Sequence, residues 1–153
     1  MYKRQPQGED NYIFNKWENE ALLKGKDEIS KDYTFNATFK KADDVIEVKD
    51  NSTQDIPKNY VDVFVDTGDK ASENTKFKKH FKVTPKSSVT IPVSLPTGDS
   101  IKDANGKVYQ YNFTAWVQTD KDGSDIANPL KWTENNPITA TFTSTTYLSL
   151  IHI

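Results

Sequence analysis

The sequence predicts a mainly β fold arranged as tandem repeats, and two observations predict it. Runs rich in Val, Ile, Thr, Phe and Tyr alternate apolar with polar residues and end at Gly, Asn, Asp or Pro, the pattern of half-buried strands joined by turns. One aromatic spacing also occurs twice. Tyr12, Phe14 and Trp17 in "NYIFNKW" return as Tyr111, Phe113 and Trp116 in "QYNFTAW", at a constant offset of 99 positions. Further along, "NATF" from Asn36 to Phe39 returns as "TATF" from Thr139 to Phe142 at an offset of 103, so the loop between the paired motifs is four residues longer in the second copy. A period of about a hundred residues is the size of a small domain and exceeds a solenoid unit. The chain therefore divides into residues 6–42, the C-terminal part of a preceding repeat, a polar linker over 43–58, and residues 59–146, one nearly complete repeat.

In the first copy, strands carry Tyr12 to Trp17 and Asn36 to Phe39. The linker that follows is charged, is closed by Pro57, and offers only Val45, Ile46, Val48 and Ile56 for burial, a tether composition. The second copy opens with "YVDVFVDT" (Tyr60 to Thr67), β-branched and aromatic, which ends at the turn signal Gly68-Asp69. In "FKKHFKVT", Phe77, Phe81 and Val83 fall on one side while Lys78, His80, Lys82 and Thr84 fall on the other. Its lysines suit an exposed edge strand, where they guard against sheet-to-sheet pairing. "VTIPVSL" places Val89, Ile91, Val93 and Leu95 on one face, and Pro92, lacking an amide hydrogen, restricts the segment to an edge or irregular strand. Asn105-Gly106 signals a tight turn, followed by one long strand from Lys107 to Val117. The closing "ITATFTST" buries Ile138, Ala140 and Phe142 and exposes its threonines. Only Ser100 to Ala104 and Glu20 to Lys26 suit a helical turn or two.

Strict alternation puts Tyr109, Tyr111, Phe113, Ala115 and Val117 on one face of the long strand. Each aromatic side chain buries about 150–250 Å², enough for a few of them to dominate a small core. The predicted core is Tyr12, Phe14, Trp17, Phe39, Tyr60, Phe77, Phe81, Tyr111, Phe113, Trp116 and Phe142. Trp116 has the opposite parity to Phe113, so either a bulge near Thr114-Ala115 re-aims it or it lies on the second face and covers an edge. The spacing persists although the residues inside it change from Asn15-Lys16 to Thr114-Ala115, which favours packing over an exposed Trp stacked on a sugar ring.

A strand carrying Tyr-x-Phe-x-x-Trp, a variable polar loop and a Thr/Ala-rich strand ending in an aromatic, repeated across a polar linker, resembles the tandem repeats of Gram-positive cell-surface proteins. The nearest are the internalin B-repeats, also called Listeria–Bacteroides repeats, and related wall-protein repeats. The resemblance covers residues 12–39 and 60–146 and departs from the family where Lys16 and Ala115 replace a Gly before the Trp. It implies a β-grasp-like α+β fold, with a small β-sandwich as the alternative. It also implies an extracellular, wall-attached location, neighbouring repeats of the same chain as partners, and a stalk or spacer role. Two further expectations stand beside that role: an adhesin domain that binds a host glycan or protein, and an accessory domain of a secreted hydrolase.

The residues themselves point to no enzyme and no cofactor. His80 alternates with Lys78 and Lys82 on a solvent face, the setting of a surface histidine and not of a general base. The sequence has no nucleophile elbow, no Gly-rich phosphate loop and no metal-spaced His pair, and Asp43-Asp44 lie in the linker, where burial would not tune a carboxylate. Asp120, Asp122 and Asp125 crowd Gly123 as a weak calcium candidate, but Gln118 and Pro129 stand where a helix-loop-helix calcium loop needs acids. "KFKKHFK" interleaves bases and rings as single-strand nucleic-acid binders do. Its phenylalanines share the buried face, so nucleic acid is not an expected partner. There is no cysteine for a disulfide or a thiolate site, and no stretch suited to membrane insertion.

Both ends carry a second resemblance. Read as CTG TCT CTT ATA CAC ATC, residues Leu148 to Ile153 match the end of a transposon adapter used in sequencing libraries, and its reverse complement, GTG TAT AAG AGA CAG, spells Met1 to Gln5. Residues 1–5 and 148–153 are therefore expected to be non-native. Without Lys3 and Arg4, the 20 basic residues become 18 lysines against 22 acids, and the net charge moves from −2 to −4. An Arg-free, mildly acidic chain of this kind is not shaped for nucleic acid.

Overall fold

Residues 10–18, 35–49 and 54–152 are described by the structure, a computed structural model. They form twelve strands: β1 (Tyr12–Trp17), β2 (Ala37–Lys41), β3 (Val45–Glu47), β4 (Val61–Asp66), β5 (Lys78–Val83), β6 (Val89–Ile91), β7 (Ser100–Lys102), β8 (Val108–Gln110), β9 (Phe113–Thr119), β10 (Lys131–Thr133), β11 (Ile138–Ala140) and β12 (Thr146–His152). No helix occurs among the described residues, and the mainly β expectation holds. Glu20 to Lys26 lies outside the described residues, and Ser100 to Lys102 is a strand.

The largest sheet has the order β10-β9-β12-β4-β5-β3. It is antiparallel except where β12 runs parallel to β4, with Thr146 opposite Val63 and Leu148 opposite Val65. One face is apolar because alternation along each strand delivers it: Val63 and Val65 from β4, Phe81 and Val83 from β5, Leu148 from β12 and Trp116 from β9. The two-stranded ribbon of β6 and β11 packs on this face through Val89, Ile91 and Ile138, with Phe142 beside them, so sheet and ribbon enclose one core in sandwich fashion. Val63, Val65 and Val83 are fully buried, and burying a side chain of this size contributes about 1.5–3 kcal/mol. Pro92 follows β6 directly and ends its pairing.

Several sequence expectations change here. β5 is interior, flanked by β4 and β3, so its lysines are not edge guards; Lys78 and Lys82 sit on the outer face and pair with Asp66 and Asp62. The expected long strand is two strands. β8 folds back on β7 as a solvent-facing hairpin that leaves Ile101, Val108 and Tyr109 exposed, and β9 then enters the main sheet. The break is fixed at Tyr111, whose amide donates to the Asp99 carbonyl at 3.0 Å while its backbone lies against buried Gly98. Of the predicted core, Tyr60, Phe81, Phe113, Trp116 and Phe142 are buried, whereas Phe14, Trp17, Phe77 and Tyr111 are half-buried. Tyr12 and Phe39 are exposed, because they lie on the separate two-stranded ribbon β1–β2. The segment read as a tether contains β3, which adds to the edge of β5. Residues 148–152, read as adapter sequence, make up most of β12, and Leu148 is only 1% exposed.

The two turns rich in Asp and Gly share one design. Asp103 Oδ1 accepts from the amides of Asn105 and Lys107, and Asp120 Oδ1 accepts from those of Asp122 and Ser124. Each closes on a left-handed glycine, Gly106 (φ 84°) and Gly123 (φ 81°), a conformation that disfavours other residues.

Candidate functional site

The repeated Phe-x-x-Trp contains the same backbone device in both copies. In β1 the register passes from Phe14 opposite Phe39 to Lys16 opposite Thr38, leaving Asn15 as the extra residue of a bulge. In β9 it passes from Phe113 opposite His152 to Ala115 opposite Ile151, leaving Thr114 as the extra residue. Asn15 and Thr114 each directly follow the Phe of the recurring Phe-x-x-Trp spacing. One extra residue cancels the odd separation of Phe and Trp and returns both to one face of the strand. In the first copy the Phe14 and Trp17 rings accordingly meet edge to face at 5.7 Å. In the second, Trp116 is 3% exposed and lies 5.9 Å from the ring of Phe77, inside the core.

The outer face of the main sheet carries a different cluster, which the sequence reading did not identify. Direct cross-strand neighbours Tyr147, Phe64 and His80 form a ladder of nearly parallel rings, Tyr147 to Phe64 at 5.1 Å and Phe64 to His80 at 4.2 Å. Part of the signal was present, since Phe64 falls between Asp62 and Asp66 on the polar side of its strand. The remainder was not, because the ladder spans three strands and includes a parallel neighbour. A groove of about 490 Å³ opens beside Tyr147 and Phe64. Asp66, Lys78, Ser149 and the turn at Asp120 to Gly123 form its other walls.

His80 is committed within this cluster. Its Nε2 lies 2.6 Å from Asp62 Oδ1, which also receives Lys82 Nζ at 2.9 Å. The expected solvent-face histidine is thus half-buried, stacked and paired. Partial burial acts to raise the Asp62 carboxyl, but the hydrogen bonds from Lys82 and His80 and their charges outweigh it and hold the group below 3.8. A lowered folded-state value means that the unfolded chain binds the proton more readily. The contribution is present above about pH 4 and is lost as pH falls through the folded value. Asp62→Asn should therefore flatten the loss of stability between pH 5 and 2 and cost less than about 1 kcal/mol at pH 6. Urea midpoints measured across that range test this; an unchanged acid limb would contradict it.

Tyr60 is held differently. Burial, and then the neighbouring carboxylates of Asp44 and Asp43, raise its hydroxyl above 10.0, and it donates to the Asp43 carbonyl at 2.8 Å. Asp120, one of the three residues of the weak calcium candidate, caps its own turn. Among the described residues no group of three His, Cys, Asp or Glu side chains converges to hold a metal, Asp120, Asp122 and Asp125 included. No described helix is long and apolar enough to cross a membrane. Neither a protein-family model, nor a curated protein, nor a solved structure matches the chain.

Proposed function

We propose that this chain is a non-catalytic repeat module of a bacterial cell-surface protein, a spacer that holds an adhesive or functional module away from the cell wall. The observation that carries this reading is the bulge shared by Asn15 and Thr114: the two copies repeat a backbone irregularity as well as a residue spacing. An irregularity conserved in position between copies with different intervening residues supports duplication of a folding unit. Burial of Trp116 supports packing as the purpose of the motif. The wall-attached, extracellular setting follows from the resemblance to Gram-positive surface repeats.

The test places the chain between an epitope tag and a wall anchor on a Gram-positive host. Antibody access to the tag should rise with the number of copies, and an unrelated folded domain of equal length should substitute for it. A requirement for this particular sequence would overturn the spacer reading. A second reading, a domain that binds a host glycan or protein, is favoured by the groove beside Tyr147 and Phe64. Retention of the soluble chain on immobilised glycans, lost in Phe64→Ala, would replace the first reading with the second.

A further inference from the structure

We infer that the junction between successive units is a built lock, in which the connecting segment adds β3 to β5 while Asn59, Thr84 and Lys86 form the docking surface for the preceding repeat. This rests on the tandem reading above and adds to it the partner surface and the mechanics of the joint.

The lock has three parts. First, β3 extends the sheet: Val45, Ile46 and Glu47 stand opposite Val83, Lys82 and Phe81. The Thr84 amide donates to the Asp44 carbonyl at 2.9 Å and the Val48 amide to the His80 carbonyl at 2.8 Å, so the pairing extends beyond the strand at both ends. Val45 packs against the core, and Glu47 meets Lys79 at 3.4 Å. This is strand addition to a sheet edge, contributed by the segment that connects the copies.

Second, the chain on either side of β3 is tied down. The buried Tyr60 ring anchors the Asp43 carbonyl, and Gln54 bridges back to Lys49 and Glu47 through its side-chain amide.

Third, Asn11 is a node between the copies. It adopts a left-handed conformation (φ 67°), which Asn tolerates better than most residues. Its carbonyl accepts from the Ala42 amide at 2.8 Å. Its Oδ1 accepts from Asn59 Nδ2 at 3.1 Å and from Thr84 Oγ1 at 2.8 Å, while its own amide donates to Asn59 Oδ1 at 3.3 Å. Thr84 is fully buried; its hydroxyl oxygen also accepts from the Lys86 amide at 3.3 Å, and its O–H donates to Asn11. Asp10 adds an ion pair to Lys86 at 3.1 Å.

Residues 10 and 11 of one copy are thereby fastened to 59, 84 and 86 of the next. A free tether of this composition would let the copies swing, with a reach of roughly 5–6 Å times the square root of its length. Docking removes that freedom and fixes the orientation of neighbouring units.

Backbone ¹⁵N relaxation of the full chain tests the lock. Residues of β1 and β2 should share one rotational correlation time with β4, β5 and β9. In Asn11→Ala/Ile46→Pro, which removes the node and a backbone donor facing Lys82, the β1–β2 value should fall about twofold, in line with separate bodies of unequal size, while β4, β5 and β9 keep their shifts. Unequal values in the wild type, or equal values in the variant, would overturn the lock and leave the spacer reading standing. Collapse of the β4, β5 and β9 signals in the variant would show one indivisible globule, and would overturn the tandem reading and the lock with it.

Discussion

Trp116→Ala should lower the unfolding free energy by about 4 kcal/mol, within the range found when large aromatic core residues are truncated. The indole is 3% exposed and belongs to the same buried cluster as Phe81, Ile91, Ile138, Phe142 and Leu148. Its removal forfeits the transfer free energy of the ring and leaves a cavity beside strands too tightly paired to collapse into it. Urea unfolding should show a lower midpoint at unchanged slope, as for a loss of stability without a change in exposed surface. Trp17→Ala, at the equivalent but half-buried position, should cost about half as much. A Trp116→Ala protein with the wild-type midpoint would remove the packing account of the motif.

Gly98→Ala is the second large effect, and its cause is steric. A Cβ at this position would overlap the carbonyl oxygen of Tyr111 and crowd its Cβ, and the obstructing oxygen is backbone that cannot rotate aside. The close approach is held from both sides, by the bridge from Gly98 to Ala71 and by the Tyr111 amide bonded to Asp99. We expect a loss of about 3 kcal/mol, the upper end for overpacking a well-filled site. Gly68→Ala provides the control. Gly68 has a left-handed φ of 72° and nothing within 4 Å, so it bears conformational strain alone, about 1 kcal/mol. Thermal or urea unfolding of the two variants separates the causes; equal losses would show that the contact with Tyr111 yields.

The parts of the fold legible in the sequence were those governed by alternation. β4, β5 and β6 run where apolar and polar residues alternate, and Val83, Val89, Ile91 and Phe142 are buried on the side their parity assigns. The alternatives for Trp116 were also stated correctly, because an odd spacing between two buried rings requires either a bulge or a second face. Alternation failed where the partner changes along an unbroken pattern. Tyr109, Tyr111 and Phe113 keep one parity, yet β8 pairs locally with β7 and β9 pairs with β10 and β12. Nothing in single-strand periodicity records such a change. The strand inside the linker was not legible for a related reason: three residues among many charges are too few to show a period, and β3 forms its pairs along the edge that β5 offers. The ring ladder was hidden because Tyr147 and Phe64 become neighbours through a parallel pairing between segments far apart in sequence.

The position of β12 has a consequence for how this domain is made. It lies between β9 and β4, and it is the strand through which β10-β9 and β4-β5-β3 become one sheet. During synthesis of this chain each of the other eleven described strands leaves the ribosome before it. Until β12 emerges, the nascent chain holds two part-sheets with unsatisfied facing borders, and closure must then bridge a long loop, a topology that slows the search for the native state. Chain growth, and not local propensity, would then set when the domain becomes resistant to proteases.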